Sequence, residues 1–148
     1  AASDVYKRQG LAPLTELARD LGLAERVRLV GQLDHERALA ELARCHLYVM
    51  PSVEEPFGVA YVEAMAAGLP VIAARGEGGP EDIAAAGPGI VLVPADDHHA
   101  LAEAIADELD DPVALAARGA AARDTVARHF TWARCGARTV AAYERALR

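Results

Sequence analysis

The sequence is poor in aromatic residues (5% of the chain), holds only two cysteines, and carries no excess of positive charge. With so few rings, the core has to be assembled from Ala, Leu, Val and Ile. The thiols of Cys45 and Cys135 stand far apart, outside any C-x-x-C or metal-ligand spacing. They read as free thiols of a reducing compartment, with Cys45 a small buried residue closing an apolar helical stretch. A net charge of -7 leaves no basic face for phosphate neutralisation, which argues against nucleic acid as a partner. No run approaches the ~18 apolar residues of a membrane span, and no secretory leader pattern is visible. The expected location is cytoplasmic. Repeats, linkers and low-complexity tracts are also lacking, so 148 residues imply one domain with a real core.

What is present is an alternation of helix and strand signals from Gly10 onward. Leu11, Leu14, Leu17, Ala18 and Leu21 recur at helical spacing, with Gly22 as C-cap. Val27–Gly31 reads as a short β-branched strand. Asp34 is placed to N-cap a helix through Cys45 that buries Ala38, Leu39 and Leu42. Leu47–Met50 is apolar throughout, as a parallel strand covered on both faces should be. A helix follows over Val59–Ala67 and ends at Gly68; a strand over Pro70–Ala74 leads to a short helix near Pro80. Gly89–Val93 reads as the last strand. Helices are expected at about 97–109, 112–128 and from Thr131 onward, with Thr131 as N-cap and Trp132 packing the last helix in place. Apolar strands separated by helices indicate an α/β, Rossmann-like parallel sheet with helices on both faces. The four expected strands fall short of the roughly six of a complete doubly wound domain, and the shortfall lies at the front.

The chemistry concentrates in Pro51–Pro70, PSVEEPFGVAYVEAMAAGLP, where Glu55 and Glu63 are eight positions apart. One carboxylate belongs to the loop leaving a strand and the other to the following helix, at the sheet edge where ligands of open α/β sheets bind. Backbone N–H groups of Phe57, Gly58 and Val59 open that helix and suit an anion, and glycine permits close approach. Two acids beside such a turn suggest a sugar nucleotide: hydroxyls for the carboxylates, diphosphate for the amides. An arbitrary pair of glutamates is ordinarily solvated surface charge. Here Glu63 shares a helix face with Val59, Ala60 and Ala67, and 59–67 holds no other charge. An acid on so apolar a helix calls for a partner.

Glu55-x7-Glu63, embedded in PSVEEPFGVAYVEAMAAGLPVIA, resembles the E-x7-E signature of retaining glycosyltransferases of the GT-B fold, family-4 type. LGLAERVRLVGQLDHERALAELARCHLYVMPS upstream, GIVLVPADDHHALAEAIADELDDP downstream and HFTW near the last helix extend the resemblance from about Gly10 to the C-terminus. It implies that the chain is the C-terminal, sugar-nucleotide-binding half of such an enzyme. Glu55 would lie at the 3- and 4-hydroxyls of the hexose and act as the catalytic carboxylate. Phe57, Gly58 and Val59 would offer backbone amides to the sugar and the distal phosphate, and Glu63 would bind the ribose. Gly31-Gln32-Leu33 and Met50-Pro51-Ser52 would line the base pocket. The implied reaction moves a hexosyl group from a UDP- or GDP-hexose to an acceptor hydroxyl with retention, without cofactor or essential metal. Glycans, lipids and small molecules all serve as acceptors in the family, which leaves room for peripheral membrane association of the full-length enzyme.

The family's diphosphate-binding Arg and Lys, and its acceptor domain, fall upstream of Gly10. Asp4–Gln9, DVYKRQ, resembles a translated sequencing adapter, so residues 1–9 are set apart from a partial domain at 10–148, and the chain as written is expected to be inactive alone. Two alternatives stay open: a non-catalytic nucleotide-sugar-binding or regulatory module of the same half-fold, and a sugar-nucleotide epimerase of the same architecture, which the E-x7-E spacing disfavours. Gly76-x-Gly78-Gly79 lacks the lysine and the serine or threonine of a P-loop, although in the family this turn borders the sugar-nucleotide site. His98-His99 reads as exposed polar surface at a helix start.

Overall fold

The structure is a computed structural model that describes residues 10–76 and 78–148. The separation of residues 1–9, including the adapter resemblance, lies outside the described residues. The chain divides into two compact units, one ending at Ala38 and the other comprising Leu39–Arg148.

The first unit contains α1 (Leu11–Asp20). Gly22 follows its last turn at φ +67°, a left-handed conformation that suits a helix end. Asp34 introduces α2 (His35–Leu42), where the Arg37 amide donates to Asp34 Oδ1 at 2.9 Å, the cap that the sequence implies. The strand expected at Val27–Gly31 does not form, and the segment is irregular. Its β-branched composition gives it extended propensity, but a strand exists only through ladder hydrogen bonds to a neighbour. Val27, Leu29 and Val30 are all exposed.

The second unit holds a parallel sheet of β1 (Tyr48–Met50), β2 (Val71–Ala74) and β3 (Ile90–Val93) in the order β1-β2-β3. Tyr48 pairs with Val71 and Met50 with Ala73, and Val71–Ala74 run beside Ile90–Val93. All four residues of β2 are fully buried, so both sheet faces are covered there, as the uninterrupted apolar pattern implies. The core joins Val71 and Ala73 to Tyr61, Ala64 and Met65 of α3 (Val59–Ala66), Ile83 of α4 (Gly78–Ala86) and Ala122 of α6 (Pro112–His129). Helix α5 (His98–Asp110) packs against β2, β3 and α6.

Short polar contacts fix the helix ends. Asp97 Oδ1 accepts from the His99 and Ala100 amides at 3.1 and 2.9 Å, and Asp111 Oδ1 accepts from Val113 and Ala114 at 2.9 and 3.0 Å. Asp97 thereby serves the helix start on which the exposed His98 and His99 lie. Arg123 of α6 donates from Nη2 to the Ala67 carbonyl at 3.0 Å, placing a cation at the C-terminus of α3, where the helix dipole favours it.

Three expectations of burial are corrected; Leu39, expected on the buried face of α2, is exposed. Cys45 is exposed, as is Cys135. Helix α2 ends at Leu42, so Cys45 lies beyond the apolar face it was expected to extend; its Sγ turns back to donate to the Glu41 carbonyl at 3.2 Å. Trp132 opens α7 (Trp132–Ala146), and the Thr131 side chain caps that helix by accepting from the Arg134 amide at 3.3 Å. The indole, however, is 91% exposed and packs nothing in place. None of α7 is buried. Trp132, Val140, Tyr143 and Leu147 fall on one helical face, all exposed.

Candidate functional site

Strand β1 ends at Met50, and residues 51–58 carry the chain from its C-terminal end to the start of α3. Glu55 sits in this loop and Glu63 one turn into the helix, both half-buried. The phenol of Tyr48, the first residue of β1, reports on both. Its pKa is raised above 10.0 by burial first, then by the negative charges of Glu63 and Glu55. The two carboxylates predicted from sequence therefore both act on the same phenol of β1.

The turn between them is built around Gly58, which is buried and has φ +82°. Any Cβ here would run into the ring of Tyr61, so glycine is required both by the left-handed backbone and by the close approach. Gly58 caps α3, and among the described residues no side chain closes that helix start. The amide end of the helix dipole is thus presented beside Glu55, an arrangement suited to phosphate. Phe57 is 41% exposed, its ring tilted against Phe130 with centroids 6.2 Å apart. Val59 is 61% exposed.

The second glycine turn meets the first. A Cβ on Gly79 would collide with the backbone of Phe57, so the start of α4 lies directly against the loop. Glu81 stabilises the approach by accepting from the Gly76 amide at 3.0 Å. Gly79 thus has a packing reason that the sequence pattern alone does not reveal.

Phe57, Val59 and Glu63 also line a cleft of about 680 Å³ whose other wall includes Phe130, Trp132 and Arg138. This volume falls within the usual range for small-molecule sites. Glu55 and Gly58 are not among its lining residues. Of the predicted base-pocket residues, Met50–Ser52 adjoin the loop, whereas Gly31–Leu33 belong to the other compact unit. Sequence reasoning missed Tyr48 and Tyr61. Tyr61 lies within the predicted helix and Tyr48 within the predicted strand, and a tyrosine at an otherwise apolar position was the available signal.

Residues 7–125 match the family model described as Glycosyl transferases group 1. The chain is 36% identical over 135 residues to a glycogen synthase of Mycobacterium tuberculosis, covering 91% of this chain and 32% of that protein. Among solved structures it is similar to a sucrose-phosphate synthase from Thermosynechococcus elongatus, with TM-score 0.80 and 34% identity over 92% of this chain and 34% of the other. It is also similar to HepE of Anabaena in complex with UDP, with TM-score 0.80 and 26% identity over 94% of this chain and 38% of the other. The chain thus spans about a third of the length of these proteins. The match of sequence over most of the chain, together with a parallel α/β sheet of GT-B type, places it in the group 1 glycosyl transferase family.

Proposed function

We propose that this chain is the sugar-nucleotide-binding part of a retaining glycosyltransferase that moves a hexosyl group from a UDP- or GDP-hexose to an acceptor hydroxyl. The observation that carries the proposal is the placement of half-buried Glu55 and Glu63 on either side of the Gly58 turn that starts α3 at the end of β1, both acids near enough to Tyr48 to raise its pKa. UDP in the HepE relative supports a nucleotide as ligand.

In this reading the Glu55 carboxylate accepts hydrogen bonds from the hexose hydroxyls and stabilises positive charge as the glycosidic bond loosens. It acts electrostatically and not as a nucleophile, because a position beside the hydroxyls is not the far face of the anomeric carbon. Backbone amides of Phe57, Gly58 and Val59 receive the junction of sugar and distal phosphate, and the α3 dipole favours the leaving diphosphate. Glu63 accepts from the ribose hydroxyls. A glycan, a lipid or a small molecule takes the sugar.

The test is calorimetric titration of UDP, GDP, UDP-glucose and GDP-mannose into the protein and its Glu63→Ala variant. Wild type should prefer one base. Loss of a charged hydrogen bond in a sheltered site should weaken that nucleotide by about tenfold or more. Unchanged affinity in Glu63→Ala would refute the ribose assignment, and no binding of either nucleotide would refute the whole reading.

A further inference from the structure

The loop that carries Glu55 has no strand or helix of its own over residues 51–58. A loop of this kind samples many conformations, and a ligand that needs one of them loses affinity in proportion. Its two ends nevertheless meet the same side chain. Tyr61, fully buried in α3, donates its Oη hydrogen to the carbonyl of Met50 at 2.8 Å. Met50 is the residue from which the loop departs. The ring of the same tyrosine lies against Gly58, the residue at which the loop ends, so closely that no Cβ fits there. The Tyr61 amide also donates to the Gly58 carbonyl at 3.0 Å.

A second tyrosine braces the first. Tyr48 stands edge-on to Tyr61, with ring centroids 6.2 Å apart and planes at 75°. Its hydroxyl reaches Met50 Sδ at 3.3 Å. Both phenols therefore terminate on Met50, one on its carbonyl and one on its sulfur.

We propose that Tyr61 is a positioning residue for the sugar-nucleotide loop: it joins the loop's two ends, Met50 and Gly58, and so holds Glu55 at the end of the strand. The inference rests on the reading of Glu55 as the acid that meets the hexose, but the clamp itself is a property of the loop. A leucine in this position would fill the core as an apolar residue but could not donate to the Met50 carbonyl. Tyr61 thus contributes to recognition of the sugar without touching it, while Glu63, on the helix itself, does not depend on the clamp.

Tyr61→Phe separates the two roles because it keeps the ring on Gly58 and removes the hydroxyl that bonds Met50. In titrations with UMP, UDP-glucose, GMP and GDP-mannose, the variant should bind the nucleoside monophosphate, which has no distal phosphate to meet the Phe57–Val59 amides, as wild type does. Its extra affinity for the nucleotide sugar should fall about fivefold, the equivalent of one hydrogen bond. In parallel, hydrogen exchange should quicken about fivefold at the Phe57 and Gly58 amides and stay unchanged in β2. A fall that is equal for monophosphate and nucleotide sugar, tracking a lower Tm, would show a merely structural tyrosine and overturn the proposal. So would unaltered exchange at Phe57 and Gly58. If wild type binds no nucleotide, the sugar-nucleotide reading fails by itself, and the exchange measurement still decides whether Tyr61 clamps the loop.

Discussion

Gly79 and Phe57 are in direct backbone contact: there is no room for a Cβ on the glycine without moving the Phe57 carbonyl. Two strand-to-helix turns, one after β1 and one after β2, are thereby pressed together at the same edge of the sheet. The geometry of the loop carrying Glu55 thus depends on a residue more than twenty positions downstream in the chain.

Gly79→Ala should therefore act on the site as well as on stability. Overpacking at this contact is expected to cost about 1–3 kcal/mol, and the displaced Phe57 backbone should weaken nucleotide-sugar binding. Gly78→Ala provides the control, since none of the described residues lies within 4 Å of a Cβ there. Thermal melts and titrations of the two variants side by side check the expectation; equal behaviour would contradict it.

Glu108 and Arg118 join α5 to α6. Arg118 Nε lies 2.7 Å from Glu108 Oε2, and its Nη2 donates to the Glu108 carbonyl at 3.1 Å. The acid side chain is 10% exposed and the guanidinium 37%. Arg118→Leu would strand a buried carboxylate, and after discounting for the half-open arginine the expected loss is about 2 kcal/mol. Adding Glu108→Leu should restore part of it, because the uncompensated charge is then gone. Urea unfolding of the single and double variants measures both steps.

Tyr48 predicts an alkaline limit to stability. Burial, then Glu63 and Glu55, raise its pKa in the folded protein above the 10.0 of a free phenol. The folded state therefore holds this proton more tightly than the unfolded chain does. The associated stability is complete below about pH 10 and is lost as pH rises through the folded pKa. Unfolding free energies measured between about pH 9 and pH 11 should fall more steeply in wild type than in Tyr48→Phe. Parallel slopes would mean that the phenol is not held in this environment.

Features governed by near neighbours along the chain are legible in the residues themselves. Asp34, Asp97 and Thr131 cap the helices that follow them, because a cap is made with an amide two or three residues away. The apolar runs of β1 and β2 both signal strands of a parallel sheet; β2 is fully buried, whereas β1, expected to be covered on both faces, is half-buried. The loop-and-helix setting of Glu55 and Glu63, with glycine at the helix start, is legible for the same local reason.

Tertiary structure decided whatever depends on a distant partner. Val27–Gly31 has the composition of a strand yet no ladder, since propensity cannot supply a neighbouring strand. Cys45 and Trp132 look like core residues and are exposed, because burial requires an element facing them. The sequence by itself determined an α/β chain with two acids around a glycine turn. Only the fold decided that Tyr61 reaches back to Met50 and that Gly79 abuts Phe57. Those contacts close across separate elements, and their geometry exists only once the sheet has brought the elements together.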